Sequence, residues 1–268
     1  MSGLGPLTSR EFKKWYRNPI SLITGLIQPF FWIALFGSAF AGLADLGASG
    51  SSSILQGAPD YITFILGGVL TITGLFTAMF TGVNLIFDRR LGTLARFLIA
   101  PIKRSSIVFS KIFSAIARIM IQVGILIAAA LILPNGLEFA HGFTLFDVGV
   151  LIAAVIMISF VFASIFNLIA IRITQPNSLF GILNLLNLPL LFTSYAMFPP
   201  ALMAGWLRTV AEYNPVSWSA ESIRMVVING TLTGSQMHQL GIWMLGLFVL
   251  AVVLVLLTYF ISEKGIRE

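Results

Sequence analysis

The residues able to do covalent or metal chemistry are few, and their spacing suits none of it. Histidine occurs twice, at His141 and His238, and neither has a second ligand at the HExxH spacing that puts zinc on one helix face. Cysteine is absent, which removes disulfides, thiolate nucleophiles and cysteine-ligated metals and leaves the redox compartment open. Asp45, Asp60, Glu138 and Asp147 are too scattered to form a general acid–base pair, and no serine has an evident activating base. There is no GxxxxGK(S/T) loop to cradle nucleotide phosphates. The sequence therefore nominates no catalytic residue, no metal ligand and no cofactor-binding motif.

What remains is charge and hydrogen bonding. The segment FDRRLGTLARFLIAPIKR, 87–104, is basic and helix-prone yet lies between two long apolar runs. Its charges (Asp88, Arg89, Arg90, Arg96, Lys103, Arg104) interleave with Leu91, Leu94, Phe97, Leu98 and Ile99, the pattern of a short surface helix offering itself to a partner. Amides are set within the apolar runs at Asn84, Gln122, Asn167, Asn184 and Asn187. They serve either as interhelical hydrogen bonds, worth about 0.6–2 kcal/mol each, or as the lining of a polar pathway, for which Asn84, Asn184 and Asn187 are the candidates. Asn184 and Asn187, three apart, share a helix face. Arg118 is the one cation deep inside an apolar run, Lys111 standing at the foot of the same run. It either snorkels or meets a carboxylate at a span end, or it has a substrate or gating role.

The elements that position these groups are set by composition. Of the 268 residues 57% are hydrophobic and 10% charged, with mean hydropathy +0.96. A soluble domain carries about a quarter charged residues, and a helix of about 20 apolar residues crosses a 30 Å hydrocarbon layer. The expected fold is all-α and polytopic, with six transmembrane helices near 20–41, 61–87, 107–133, 148–171, 179–198 and 240–261. A cleaved leader ending at Ala39-Phe40-Ala41 is disfavoured by the length of the first run and by Gln28-Pro29 within it. All but three of the sixteen Lys and Arg residues flank the spans at one side, the exceptions being Arg118, Arg208 and Arg224. The positive-inside rule then places both termini and 88–104 in the cytoplasm. With the charge so used, nucleic acid is not an expected partner.

Two further elements are expected. Phe12, Trp15 and Tyr16 recur at helical spacing in a basic stretch, predicting an interfacial helix over 7–17 that stops at Asn18-Pro19. Between the last two spans, 199–230 reads as an external re-entrant helical hairpin divided at Asn214-Pro215, with Ser217 or Ser219 as a cap for its second helix. Gly67, Gly68, Gly74 and Gly82 allow close helix approach in the second span. The stretch at 47–53 reads as a flexible external loop, and Asn229-Gly230-Thr231 as a glycosylation sequon by pattern.

Two motifs in this topology resemble the ABC-2 family of ATP-binding-cassette transporter permeases, and the resemblance extends over essentially the whole chain. One is DRRLGTLARFLIAP at 88–101, similar to the family's acid–base pair, Gly-Thr-Leu, acid, leucines and Thr-Pro; the other is NPVSWSAESIR at 214–224, similar to its Asn-Pro followed by a helix with a late Arg. The resemblance implies one transmembrane domain over 1–268, working as a dimer with a second copy or a close homologue in the cell membrane. It implies a cytoplasmic ATPase subunit that binds ATP and Mg, with Asp88, Arg89, Arg90, Leu91, Gly92, Thr93, Leu94 and Arg96 forming the coupling interface. It implies an outer gate built from Asn214, Pro215, Trp218, Glu221 and Arg224, and a drug-like or lipid-like amphipathic cargo. Arg90 and Ala95 stand where the family often has acids, so the charge pairing of the docking surface is this chain's own. Three alternatives compete: an ion-coupled secondary transporter, for which the spans lack an Asp or Glu; a membrane enzyme acting on lipids; and a non-transporting scaffold that uses the same basic helix.

Overall fold

The computed structural model describes residues 3–40, 55–99, 102–132, 144–173, 175–229 and 231–265. The serine-rich loop, Ala41, Asp45, Ala100-Pro101, Leu133, Glu138, His141, Gly230 and Arg267 lie outside the described residues. Among the described residues every regular element is a helix.

Short polar residues and prolines set the helix starts. α1 (Leu4–Tyr16) ends at Arg17, and α2 (Pro19–Ala39) begins with Pro19 behind Asn18, whose Oδ1 accepts from the Ser21 amide at 3.3 Å. Proline fits the first helical position because its missing N–H would have no partner there. Asp60 caps α3 (Tyr61–Arg90) by accepting from the Thr63 amide at 2.7 Å. Gly92, at φ +68°, turns the chain in the left-handed region into the short α4 (Thr93–Leu98). α5 (Arg104–Ile132) follows, then α6 (Leu145–Arg172), whose start is held by a reciprocal capping box between Thr144 and Asp147. Asp60 and Asp147, which read as scattered external acids, are therefore helix caps. α7 (Pro176–Phe192) leads to a 3-10 turn at Pro200–Leu202, then α8 (Gly205–Glu212), α9 (Pro215–Ile228) and α10 (Gly234–Gly265).

Five helices, α2, α3, α5, α6 and α10, are long and apolar enough to cross a membrane. α3 is central: 83% of its apolar window is buried, against 17% for α2 and for α10. Its glycines admit neighbouring backbone. A Cβ at Gly68 would lie 1.6 Å from the Ala196 carbonyl oxygen, and one at Gly82 would lie 2.5 Å from that of Phe166. The peripheral helices present lipid-type faces, with Ile20, Ile23, Ile27, Phe31 and Leu35 exposed along α2 and Leu245, Phe248, Val252, Leu256 and Phe260 along α10. Water would not tolerate such surfaces. This is a multi-pass membrane protein.

The stretch expected as a span over 179–198 holds the greater part of α7, a 17-residue helix that stops at Phe192. Its exposed end is taken over by Asn214, whose Nδ2 donates to the Leu190 and Thr193 carbonyls, both at 2.9 Å. Residues 193–199 then form a run of turns against the hairpin helices, where Tyr195 N donates to Ser217 Oγ at 3.0 Å.

Candidate functional site: a basic end, a hairpin and a polar cleft

The basic segment is anchored from inside. Asp88, in the last turn of α3, is 2% exposed and ion-pairs with Lys111 of α5, which is equally buried. Glu11 of α1 reaches the same ammonium at 3.8 Å and is bridged by Arg10 at 2.9 Å. Arg10 in turn lies over the Phe97 ring of α4, 5.0 Å from its centroid. Arg89 donates to the Ile173 and Ile171 carbonyls at 3.2 and 3.3 Å, satisfying the open C-terminal end of α6. One cluster of charges thus ties α1, α3, α4 and α5 together, and Arg89 adds α6.

The residues expected at the coupling interface divide between an inward and an outward side. Asp88 and Leu94 turn inward, Asp88 because the helical period puts it on the bundle-facing side of α3, Leu94 because it is the apolar side of α4. Arg89 is committed to α6. The outward surface consists of Arg90, Leu91, Gly92, Ala95, Arg96 and Ile99, with Thr93 half-buried. α1 packs on α5, so Trp15 is buried while Tyr16 is exposed.

At the opposite end, Asn214 does two jobs with one amide. Its Nδ2 closes α7, and its Oδ1 accepts from the Val216 amide at 2.9 Å to cap α9, with Pro215 at the first helical position. Asn214 therefore caps this helix, and the two serines proposed for that task act elsewhere: Ser217 on the Tyr195 amide, Ser219 on Thr71 at 3.0 Å. Arg224 is 1% exposed, ion-pairs with Glu221, donates Nε to the Phe64 carbonyl at 3.0 Å and Nη2 to that of Tyr195 at 2.9 Å, and stacks 3.6 Å from the Phe64 ring centroid. Burial pushes the Glu221 carboxyl above its usual range, opposed by the Arg224 guanidinium. Trp218 Nε1 donates to the Glu212 carbonyl at 2.7 Å, joining α9 to the end of α8. The hairpin is thus bolted to α3 rather than loose on the surface.

Between α2, α3 and α5 lies a polar cleft of about 290 Å³. Pro29 has no N–H, so the Gly25 carbonyl one turn earlier in α2 is left without its helical donor. Gln122 supplies one, donating Nε2 to Gly25 O at 3.2 Å and accepting on Oε1 from Thr77 at 2.9 Å. Gly25 makes room: a Cβ there would lie 2.5 Å from the Gln122 nitrogen. Asn84 and Arg118 also line the cleft, while Asn187 is buried on α7 and Asn184 is exposed on its outer side, neither of them reaching it.

The family model described as ABC-2 type transporter matches residues 4–228, from α1 to the end of the hairpin. The chain belongs to this family. The ABC-2 chain is also 32% identical to the transport permease ycf38 of Porphyra purpurea over 83% of its own length and 73% of the relative's. It is 30% identical to ycf38 of Cyanophora paradoxa over 93% and 83% of the two lengths. With the daunorubicin resistance ABC transporter permease protein DrrB1 of Streptomyces coeruleorubidus it shares 25% identity over 85% and 73%. It is accordingly the membrane subunit of an ABC transporter.

In this ABC-2 permease, the signal for several functional groups was present in the sequence but weak. Glu11 is the only acid among the first 44 residues and sits one turn from Trp15. Lys111, Arg118 and Gln122 recur at i, i+7 and i+11, one stripe of α5. Counted as loop charge or isolated polar residues, they did not read as a seam; with Lys111 on Asp88, Gln122 on Thr77 and Arg118 sharing a cleft with Asn84, they do.

Proposed function

We propose that this permease forms half of the translocation pathway of an ABC exporter and is driven by ATP hydrolysis on separate subunits. ATP and Mg belong to that partner, since these 268 residues contain no P-loop. The observation that carries the reading is the surface in and beside α4: Arg90, Leu91, Ala95, Arg96 and Ile99 are exposed, while the helix itself is held to α3 and, through Arg10 over Phe97, to α1. A mobile loop would absorb a push, whereas a clamped one transmits it. Closure of the ATPase would bias the bundle between two states only through contacts that differ between them.

In this reading the basic end and both termini face the cytoplasm across the cell membrane, and a second copy or close homologue completes the pathway. α7 with residues 193–199 completes a sixth crossing, and α8–α9 form the outer gate around Asn214, Pro215, Trp218, Glu221 and Arg224. The whole chain acts as one transmembrane domain, and its cargo is amphipathic. The test is co-expression with the ABC ATPase encoded beside the permease. The two should co-elute, and the permease should change the ATPase's hydrolysis rate; separate elution with unchanged hydrolysis would sink the proposal.

A further inference from the structure

The α2–α3–α5 cleft has a chemistry that the interhelical role of its amides leaves unexplained. Arg118 is the fifteenth of the 29 residues of α5, about 21 Å along it at 1.5 Å per residue. A cation at that depth is expensive and is normally paired or wet. Arg118 donates Nε to its own helix at Ser114 O, 3.2 Å away, and among the described residues meets no carboxylate within 4.0 Å. A second donor is also idle: Trp32 Nε1 is buried, borders the cleft and has no acceptor.

The other polar groups add no negative charge. Thr24 and Thr73 spend their hydroxyls on their own helix carbonyls, and Gln122 spends both ends on Gly25 and Thr77. Among the described residues no Asp or Glu lines the cleft, while Ser21, Gln28 and Asn84 bring acceptors as well as donors. It therefore presents one uncompensated positive charge beside neutral donors, which suits an anionic oxygen cluster. Its volume of about 290 Å³ sits at the small end of ligand sites, enough for a headgroup rather than a whole amphiphile. Thr24 and Phe80 on its rim are exposed, and beside it α2 presents the outward apolar stripe of Ile23, Ile27 and Phe31. A head held in the cleft leaves its chain along that stripe, in lipid.

We propose that the cleft binds the anionic headgroup of an amphiphile, a phosphate or carboxylate on an acyl chain, with Arg118 as the charge partner and Trp32 as a neutral donor. This rests on the export reading and narrows its cargo or lipid ligand to acidic amphiphiles. The permease in phosphatidylcholine nanodiscs, without any ATPase, is titrated with radiolabelled oleoyl-lysophosphatidate. Binding should be saturable, displaced by the unlabelled probe, and displaced neither by monoolein, which has the chain without the charge, nor by inorganic phosphate, which has the charge without the chain. Arg118→Gln should weaken it about tenfold or more, the scale of one charge-assisted hydrogen bond, and Arg118→Lys much less. Thr24→Trp fills the mouth with the charge intact and should weaken binding too, which keeps the test alive if Arg118→Gln does not fold.

Equal affinity in Arg118→Gln and wild type, displacement by monoolein, or displacement by phosphate alone would each overturn the proposal. Loss of binding from a permease that still assembles with its ATPase defeats this inference and leaves the export reading standing.

Discussion

The charge cluster at Asp88, Lys111 and Glu11 anchors the basic segment from inside while Arg90, Arg96 and Lys103 stay exposed. Asp88 and Lys111 are both buried, so removing one partner strands the other, at a typical cost of about 3–5 kcal/mol, whereas replacing both with apolar side chains is often close to neutral. Lys111→Met should therefore lower the melting temperature of the detergent-solubilised protein strongly, and Asp88→Leu with Lys111→Met should recover much of the loss. Thermal unfolding of the two variants side by side checks this. A double variant worse than the single would show that Lys111 matters through Glu11, 3.8 Å away, more than through Asp88. Arg224 follows the same physics with more hydrogen bonds: two backbone carbonyls, Glu221 and the Phe64 face all depend on one side chain.

Among the elements, what was legible in the sequence was where helices begin. Asn18-Pro19 and Asn214-Pro215 each couple a side-chain cap to a proline at the first helical position, and both mark real starts. What was not legible was which side of an element faces in. The pairing of Asp88 with Lys111 joins residues 23 apart, and the carbonyls that hold Arg89 lie 82 and 84 residues away, so no local pattern encodes them. Length misled at α7 for a related reason: apolar residues continue to Phe198, but the helix ends where Asn214 takes its carbonyls. These facts decide how the docking surface should be tested. Reversing Arg89 would damage α6, so its effect on assembly would be ambiguous. Arg90→Glu with Arg96→Glu alters only exposed charges and should weaken co-elution with the ATPase severalfold while leaving the permease's melting temperature almost unchanged. Unaltered co-elution would move the docking surface away from α4.

For the whole molecule, the open quantity is the number of crossings, and the hydrogen bonds between elements constrain it. Ser105 donates to Glu263 Oε1 through Oγ at 2.5 Å, which puts the start of α5 and the end of α10 at the same end of the bundle as Arg89 and Ile173. Tyr61 donates to the Met197 carbonyl at 2.7 Å, which puts the start of α3 beside the turn after α7 at the other end. α7 therefore connects the two ends, although its 17 residues make only about 26 Å of helix. In the proposed six-crossing arrangement, residues 193–199 supply what α7 lacks of a hydrocarbon layer about 30 Å thick. Because the chain has no cysteine, single substitutions can report sidedness without background. A membrane-impermeant maleimide applied to intact cells should label Gln236→Cys, half-buried in the first turn of α10 among exposed neighbours, and leave Arg90→Cys and Lys264→Cys unlabelled until the cells are opened. Labelling of Lys264→Cys together with Gln236→Cys on intact cells would mean that α10 does not cross. Labelling of neither would place the hairpin inside and reduce α7 to a helix that enters and leaves the membrane on one side.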